Sequence, residues 1–187
     1  MNDSFYRNTV ALIETIEECL EKRRLLPCLI LLYTGIDVMA SLERRTGEGT
    51  GAAFVRWVDR YMLDAHPLPC ASAELYAARC GILHALSADS GLSRQGKARK
   101  VFYAWGTAKP EALVQAASIL GCDDVVVLQI RDLIDSFRHG LADYVQELSA
   151  DVQRQDAVAQ HAGQWFVNME PQFVEQFINS SEEARES

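Results

Sequence analysis

Two residues suited to phosphate chemistry, Arg79 and His84, stand five positions apart. An imidazole can accept and return a proton near neutral pH, and a guanidinium is a permanent cation that suits a phosphate or a developing negative charge. Five residues of helix give an angular offset of about 140°, so the two side chains are not expected on one helix face. For a single helix the simpler interpretation is structural: an arginine at the rim of the core and a hydrogen-bonded histidine.

One carboxylate, Asp37, is the only charged residue in the apolar segment 28–42. Two functional roles suit it, orienting His84 or pairing with Arg79. A structural role suits it equally, since a buried polar residue can fix how helices pack. The sequence leaves both interpretations open.

The charges of the chain are unevenly distributed. It has 18 Lys and Arg against 26 Asp and Glu, a net charge of −8, which argues against a protein that coats nucleic acid, because phosphate binding depends on basic side chains. No acidic residue lies between Asp89 and Glu111. The basic side chains in this gap, here called the basic segment, are Arg94, Lys97, Arg99, Lys100 and Lys109. The segment is either a solvated loop or a surface that holds an anionic ligand.

The cysteines and histidines form no recognisable metal or disulfide pattern. The five cysteines are odd in number and scattered without a C-x-x-C pair, so we expect reduced thiols. His66 and Cys70 are four apart, but Pro67 and Pro69 between them prevent the helix that makes this spacing a metal site. The chain also has no glycine-rich phosphate loop and no dinucleotide fingerprint. We therefore predict no metal site and no cofactor.

The segments that carry these residues are mostly helical, because apolar residues recur at helical spacing with charged residues opposite them. The predicted helices cover residues 5–24, 28–42, 54–62, 72–86, 110–121 and 125–148, with further helical pattern to 168. Arg79 and His84 then lie on the fourth helix. Asp37 lies on the second, which is apolar almost all round and is expected at the centre of a bundle.

The predicted fold is all-α, a mainly helical bundle, with one short β-strand or hairpin near residues 99–106, where β-prone side chains cluster. At 187 residues the chain is long enough for one sizeable domain, which we place at 1–168. Residues 169–187 form a C-terminal extension. We expect it to be partly disordered, because its end carries three glutamates and almost no apolar residues.

The N-terminus has acidic residues and Arg7 where a secretory signal would have an apolar core. The apolar segment 28–42 is interrupted by Asp37 and is too short to span a bilayer. We therefore expect a cytoplasmic protein without a membrane segment.

The arginine–histidine pair and its surroundings resemble the HEPN superfamily, whose signature is an arginine and a histidine separated by a few residues on a late helix of an all-helical domain. The flanking segments that carry the resemblance are residues 32–37, 54–58, 74–79 and 102–106. They are similar to a HEPN-like family of uncharacterised bacterial and plasmid proteins. The resemblance covers residues 5–145.

The resemblance implies a bundle that dimerises with the helices of Arg79 and His84 facing each other, so that the pair converges despite its spacing. It also implies a metal-independent endoribonuclease site at that interface. His84 would move the proton of a ribose 2'-hydroxyl or of the leaving oxygen, and Arg79 would stabilise the transition state. HEPN ribonucleases usually have a polar residue after the arginine, often Asn or Asp, whereas this sequence has Cys80.

The resemblance also suggests supporting roles for other side chains. We expect Asp37, Tyr76 and Cys80 to support the pair. Candidates for holding the RNA backbone come from the basic segment and are Arg94, Lys97, Arg99 and Lys100.

Our leading hypothesis is a HEPN-like homodimer that cleaves RNA in a toxin, abortive-infection or stress-defence context, with an antitoxin or another protein as a further partner. The alternative is a non-catalytic HEPN-like module that keeps the dimer and binds a protein partner or a nucleotide. A third hypothesis, an unrelated helical bundle that binds a small molecule, would make the arginine–histidine pair a coincidence.

Overall fold

The computed structural model describes residues 3–162 and 171–186. Most of these residues are helical, which confirms the predicted mainly α-helical fold. The helices are α1 (Asp3–Glu21), α2 (Leu25–Leu42), α3 (Thr50–Trp57, continued by a π-helical turn at Val58–Leu63), α4 (Ser72–Ala85), α5 (Gly91–Arg94), α6 (Pro110–Ile119), α7 (Ile130–Ser149), α8 (Val152–Ala162) and α9 (Pro171–Glu186). Two short strands are β1 (Lys100–Ala104) and β2 (Val125–Gln129).

Helix α2 lies at the centre of the fold, as the sequence predicts, in contact with α1, α3, α4 and α7. Pro27 lies in its first turn, where the missing backbone N–H leaves no helical bond unmade. The helix begins earlier than predicted, at Leu25, and at 18 residues its length and composition would allow a membrane crossing, alone among the described helices. Half of it is buried inside the protein, and the core helices of soluble proteins pass the same test of length and composition.

Helix α3 changes to its π-helical turn where it crosses α7. Trp57, Tyr61 and Tyr144 pack there with ring centroids 5.3 to 6.1 Å apart. Gly140 of α7 allows the close crossing, since a Cβ at this position would lie 2.4 Å from the carbonyl oxygen of Tyr61. The aromatic cluster therefore fixes α3 against α7.

Strands β1 and β2 pair in parallel, with Lys100 opposite Val125, and α6 makes the crossover between them. Strand β1 confirms the strand predicted near residues 99–106. The prediction of a helix from residue 125 is wrong, because α7 begins at Ile130. The preceding segment opens with three β-branched valines, which suit a buried pleated surface, and pairing with β1 satisfies its backbone groups.

The C-terminal part of the described chain consists of α8 and α9. Helix α8 agrees with the helical pattern predicted after residue 148. Residues 163–170, where that pattern and the predicted domain are expected to end, lie outside the described residues. Helix α9 lies in the predicted C-terminal extension, and its side chains at 171–180 are exposed. Partial disorder of this extension stays a prediction.

Candidate functional site

Helix α4 carries Arg79 and His84, and Glu74 fixes its first turn. One carboxylate oxygen of Glu74 accepts the backbone N–H of Ala71 at 2.8 Å, and the two oxygens bind the guanidinium of Arg99 at 2.5 and 3.0 Å. Burial raises the pKa of Glu74, but the hydrogen bonds from Arg99 and Ala71 outweigh it and lower that pKa overall. The ionised carboxylate also suits the positive end of the helix dipole.

Helix α4 ends directly after His84, because Leu86 adopts the left-handed conformation with a φ of +49°. The chain then folds back across Gly81, whose carbonyl oxygen accepts the N–H of Ser87 at 3.2 Å. A Cβ at position 81 would lie 2.5 Å from the carbonyl oxygen of Ser87, so this close approach requires glycine. Gly81 thus allows the turn that leaves His84 exposed in the last turn of the helix.

Arg79 and His84 are in contact within one chain, since Arg79 Nη1 and His84 Nε2 lie 3.1 Å apart. The five-residue spacing, which is not expected to place the two side chains on one helix face, therefore does not prevent their contact. Angular offset describes the directions in which side chains leave the helix, whereas the long arginine side chain reaches along the helix to its end. A second copy is not needed to bring the pair together.

Asp37 of α2 binds the other side of the Arg79 guanidinium. Its Oδ2 accepts the Nε–H at 2.8 Å and also accepts an N–H from Nη2. Of the two functional roles predicted for Asp37, the structure has the pairing with Arg79. The side chains are 16% and 15% exposed, so the pair is largely shielded from water. Burial lowers the pKa of Arg79, but the hydrogen bonds and charge of Asp37 outweigh it and raise that pKa overall.

These hydrogen bonds define which imidazole nitrogen carries the proton. A guanidinium can only donate, so Nε2 of His84 presents its lone pair and the proton of the neutral ring is on Nδ1. Three N–H groups of Arg79 point at Asp37 and His84. An arginine has five such groups, and the Cys80 side chain also hydrogen-bonds the side chain of Arg79.

Tyr76 and Cys80 lie beside the guanidinium of Arg79, and Cys80 interacts with both of the other side chains. Burial, followed by the nearby Cys80, raises the pKa of Tyr76, so its phenol stays protonated at neutral pH. The Tyr76 ring packs on the start of α3, where a Cβ at Gly51 would lie 2.8 Å from it. Oδ1 of Asp37 is buried and has no hydrogen-bond partner in the described chain. All three predicted supporting residues therefore lie around Arg79.

The basic segment borders the end of α4. Asp89 binds two of its side chains, Arg94 at 3.4 Å and Lys100 at 3.1 Å. The same residue lies against the helix end, since a Cβ at position 81 would be 3.2 Å from the carbonyl oxygen of Asp89. The structure thus places the basic segment next to the turn that carries His84.

The four candidates for RNA contacts differ in how far nearby carboxylates neutralise them. Arg99 is bound to Glu74, and Arg94 and Lys100 share one carboxylate. Lys97 is exposed and forms no ion pair with any residue that the structure describes. Its charge is the most available of the four.

Two glycines that shape the site, Gly51 and Gly81, are not among the residues that the sequence singled out. Both allow close approaches, to the Tyr76 ring and to the Ser87 carbonyl respectively. A glycine inside a helical pattern costs stability, so its presence in the middle of α4 is the signal that could have identified Gly81.

Within residues 3–162 and 171–186, no three His, Cys, Asp or Glu side chains are grouped so that they could hold a metal ion. His66 stacks on His139, with ring centroids 4.7 Å apart, and lies 3.4 Å from Asp143.

Comparison with known proteins identifies no relative. The chain matches no family model, no curated protein and no solved structure. The resemblance to the HEPN superfamily therefore depends on the arginine–histidine pair and its flanking segments alone.

Proposed function

We propose that this chain is a HEPN-like, metal-independent endoribonuclease that acts in the cytoplasm as a toxin or in a defence or stress response. The observation that supports this most directly is the 3.1 Å contact between Arg79 Nη1 and His84 Nε2. A neutral imidazole with a lone pair on Nε2, next to a fixed cation, supplies the base and the charge stabilisation that phosphodiester transfer needs. His84 is exposed, so a polymer can reach it.

In the proposed reaction, His84 Nε2 accepts the proton of a ribose 2'-hydroxyl, and the 2'-oxygen attacks the adjacent phosphorus. The bond from phosphorus to the 5'-oxygen of the next nucleotide breaks, and this oxygen takes a proton from the imidazolium. The products are a 2',3'-cyclic phosphate and a 5'-hydroxyl. Since Nε2 accepts an N–H of Arg79 in the free protein, that bond breaks when RNA enters, and the N–H turns to a phosphate oxygen.

Asp37 acts as a positioning residue in this proposal. It holds Nε and Nη2 of Arg79, so that Nη1 can move from His84 to the phosphate while the rest of the guanidinium stays in place. An arginine held in this way is already oriented for the transition state, which lowers the entropic part of the barrier.

We infer the assembly and the RNA contacts from the resemblance and from charge. Two chains would form a homodimer with their α4 helices facing each other, and an antitoxin or another protein would be a further partner. Each chain would then hold its own Arg79–His84 pair. In the basic segment, Lys97 would make the leading contact with the RNA backbone, because its charge has no partner within the described part of the chain.

A non-catalytic binding module is the second candidate, and the Asp37–Arg79 ion pair favours it. The pair is shielded and well hydrogen-bonded, which is sufficient to explain Arg79 as a residue that fixes α4 to α2. Such a module would keep the dimer and bind a protein partner or a nucleotide without cleaving RNA.

Incubation of the purified protein with labelled single-stranded RNA in EDTA tests the proposal. We expect fragments that end in a 2',3'-cyclic phosphate, identified by mass spectrometry. Loss of cleavage in EDTA and its return with magnesium would contradict the metal-independent mechanism. RNA that is bound but stays intact would favour the non-catalytic module.

A further inference from the structure

A cavity of about 340 Å³ lies at the C-terminal end of α2, where α2, the π-helical turn after α3, and α8 meet. Leu42 and Val158, both buried, form its apolar side. Its rim carries five arginines, Arg44, Arg45, Arg56, Arg60 and Arg154. None of them belongs to the basic segment, and we call this feature the arginine cavity.

The arginines of this cavity outnumber the carboxylates that bind them. Three have glutamate partners, in the pairs Arg154–Glu43, Arg56–Glu48 and Arg60–Glu147. Arg44 and Arg45 form no salt bridge within the described part of the chain. Five guanidinium groups thus face three carboxylates, an excess of two positive charges in a protein whose net charge is −8.

The paired arginines are held by more than their glutamates. Nη2 of Arg56 donates to the carbonyl oxygen of Glu43 and to a carboxylate oxygen of Glu48, both at 2.9 Å. Arg154 donates to the hydroxyl of Tyr61 at 2.8 Å. The two arginine side chains are 26% and 27% exposed. A ligand held by Arg44 and Arg45 would therefore lie beside two guanidinium groups that are already ordered.

We propose that the arginine cavity binds a small polyvalent anion that carries phosphate groups, of the pyrophosphate class. A guanidinium offers two parallel N–H groups to one phosphate, so Arg44 and Arg45 together match a ligand with two such groups. The apolar side formed by Leu42 and Val158 excludes water from one face of the ligand and strengthens the attraction. Ion pairs that only hold α3 with its π-helical turn, α7, α8 and the segment after α2 together would account for Arg56, Arg60 and Arg154, but not for Arg44 and Arg45.

A ligand in this cavity would connect α8 to the rest of the fold. Arg154 lies on α8, whereas Arg44 and Arg45 follow Glu43, the C-cap residue of α2. Because the cavity combines side chains from separate elements, the ligand binds the folded chain only and raises its unfolding temperature. This inference does not depend on the proposed RNA reaction.

Calorimetric titration of sodium pyrophosphate into the full chain tests the inference. The test variant is Arg44→Gln/Arg45→Gln, and both side chains are exposed, so folding should be retained. The matched control is Arg23→Gln/Arg24→Gln, which removes two charges from an adjacent exposed arginine pair just before α2. Thermal unfolding of each variant without ligand confirms that it is folded.

We expect wild type and control to bind pyrophosphate with the same affinity, and the cavity variant to bind at least about tenfold more weakly. Inorganic phosphate, with one group, should bind wild type more weakly than pyrophosphate does. Absence of pyrophosphate binding to wild type at millimolar concentration would overturn the inference. Equal weakening in both variants would also overturn it, because the attraction would then be to positive charge in general.

Discussion

At the scale of single residues, the guanidinium of Arg79 donates hydrogen bonds to a carboxylate and to an imidazole. Asp37 accepts from Nε and Nη2, and His84 accepts from Nη1. The carboxylate fixes the cation to the core helix α2, while the imidazole lies at the exposed end of α4. Arg79 is thus anchored by Asp37 and also contacts the reactive imidazole of His84. Substitution of Asp37 should therefore change mainly stability, whereas substitution of His84 should change mainly activity.

Replacement of Asp37 by asparagine should mainly reduce stability. We expect the free energy of unfolding in urea to fall by about 1 to 3 kcal/mol, because the shielded guanidinium of Arg79 loses its charged partner. Asp135→Asn is the matched control, since Asp135 pairs with Arg138 at 3.4 Å on the surface with both side chains at least 40% exposed. Its effect should stay within about 0.5 kcal/mol. Equal losses of unfolding free energy in the two variants would show that the Asp37–Arg79 pair stabilises the protein no more than an exposed ion pair does.

The sequence could predict which side chains are chemically suited to the site, but not their contact. Arg79, His84 and Asp37 stand out by type and by their positions on apolar helices. Their convergence depends on the rotamer of a long arginine, which the carboxylate of a different helix determines. Helical periodicity contains no information about that tertiary contact.

At the scale of elements, α4 is defined by contacts at both of its ends. Glu74 binds the first turn and Arg99, and Gly81 allows the chain to fold back after the last turn. The position of His84 therefore depends on a close backbone contact next to it.

Gly81→Ala should destabilise the protein by about 1 to 3 kcal/mol, because the new Cβ would meet a backbone carbonyl that cannot rotate away. Gly91→Ala, at a position with open space around it, should be neutral or slightly stabilising. Thermal unfolding of the two variants measures the difference. Identical unfolding temperatures would mean that the turn after α4 adapts freely and does not position His84.

The strands show where local pattern fails to predict an element. The apolar run at residues 125–128 is buried, and a short buried run suits a helix and a strand equally well by periodicity. Its partner β1 precedes it in the chain, with the α6 crossover between them. Hydrogen bonding to β1 stabilises the strand conformation over the helical one. Helix α2, by contrast, could be predicted because it is long, apolar and clearly bounded.

At the scale of the whole molecule, surface carboxylates held by arginines connect stability to pH. Hydrogen bonds from Arg56, and then the backbone N–H of Arg45, lower the pKa of Glu48 from 4.5 to about 2. Between these values the unfolded chain binds a proton at Glu48 and the folded chain does not. The stabilisation is therefore complete above pH 4.5 and is lost as the pH falls toward 2.

Glu48→Gln should lower the unfolding temperature at neutral pH and make it less dependent on pH in the range below 4.5. Glu111→Gln removes the same charge from an exposed position at the start of α6 and serves as the control. Differential scanning calorimetry over this pH range measures both. If the unfolding temperature of Glu48→Gln depended on pH as steeply as that of wild type, the lowered pKa of Glu48 would be contradicted.

The arginine cavity illustrates why charge counted along the sequence can mislead. Its arginines come from positions 44 to 154, so no window of the sequence is strongly basic there. The basic segment looks basic in the sequence, yet carboxylates outside it bind most of its charges. Only the fold determines which positive charges remain without a partner.

The rate of RNA cleavage by single-residue variants in EDTA tests most directly whether Arg79 and His84 form the reactive centre. Arg79→Ala and His84→Ala should each cleave single-stranded RNA at least about 100-fold more slowly than wild type, because each removes a group that acts in the transition state. His139→Ala, which removes an exposed histidine of α7, should cleave at the wild-type rate. Wild-type cleavage by folded His84→Ala, or an equal loss in His139→Ala, would contradict the account.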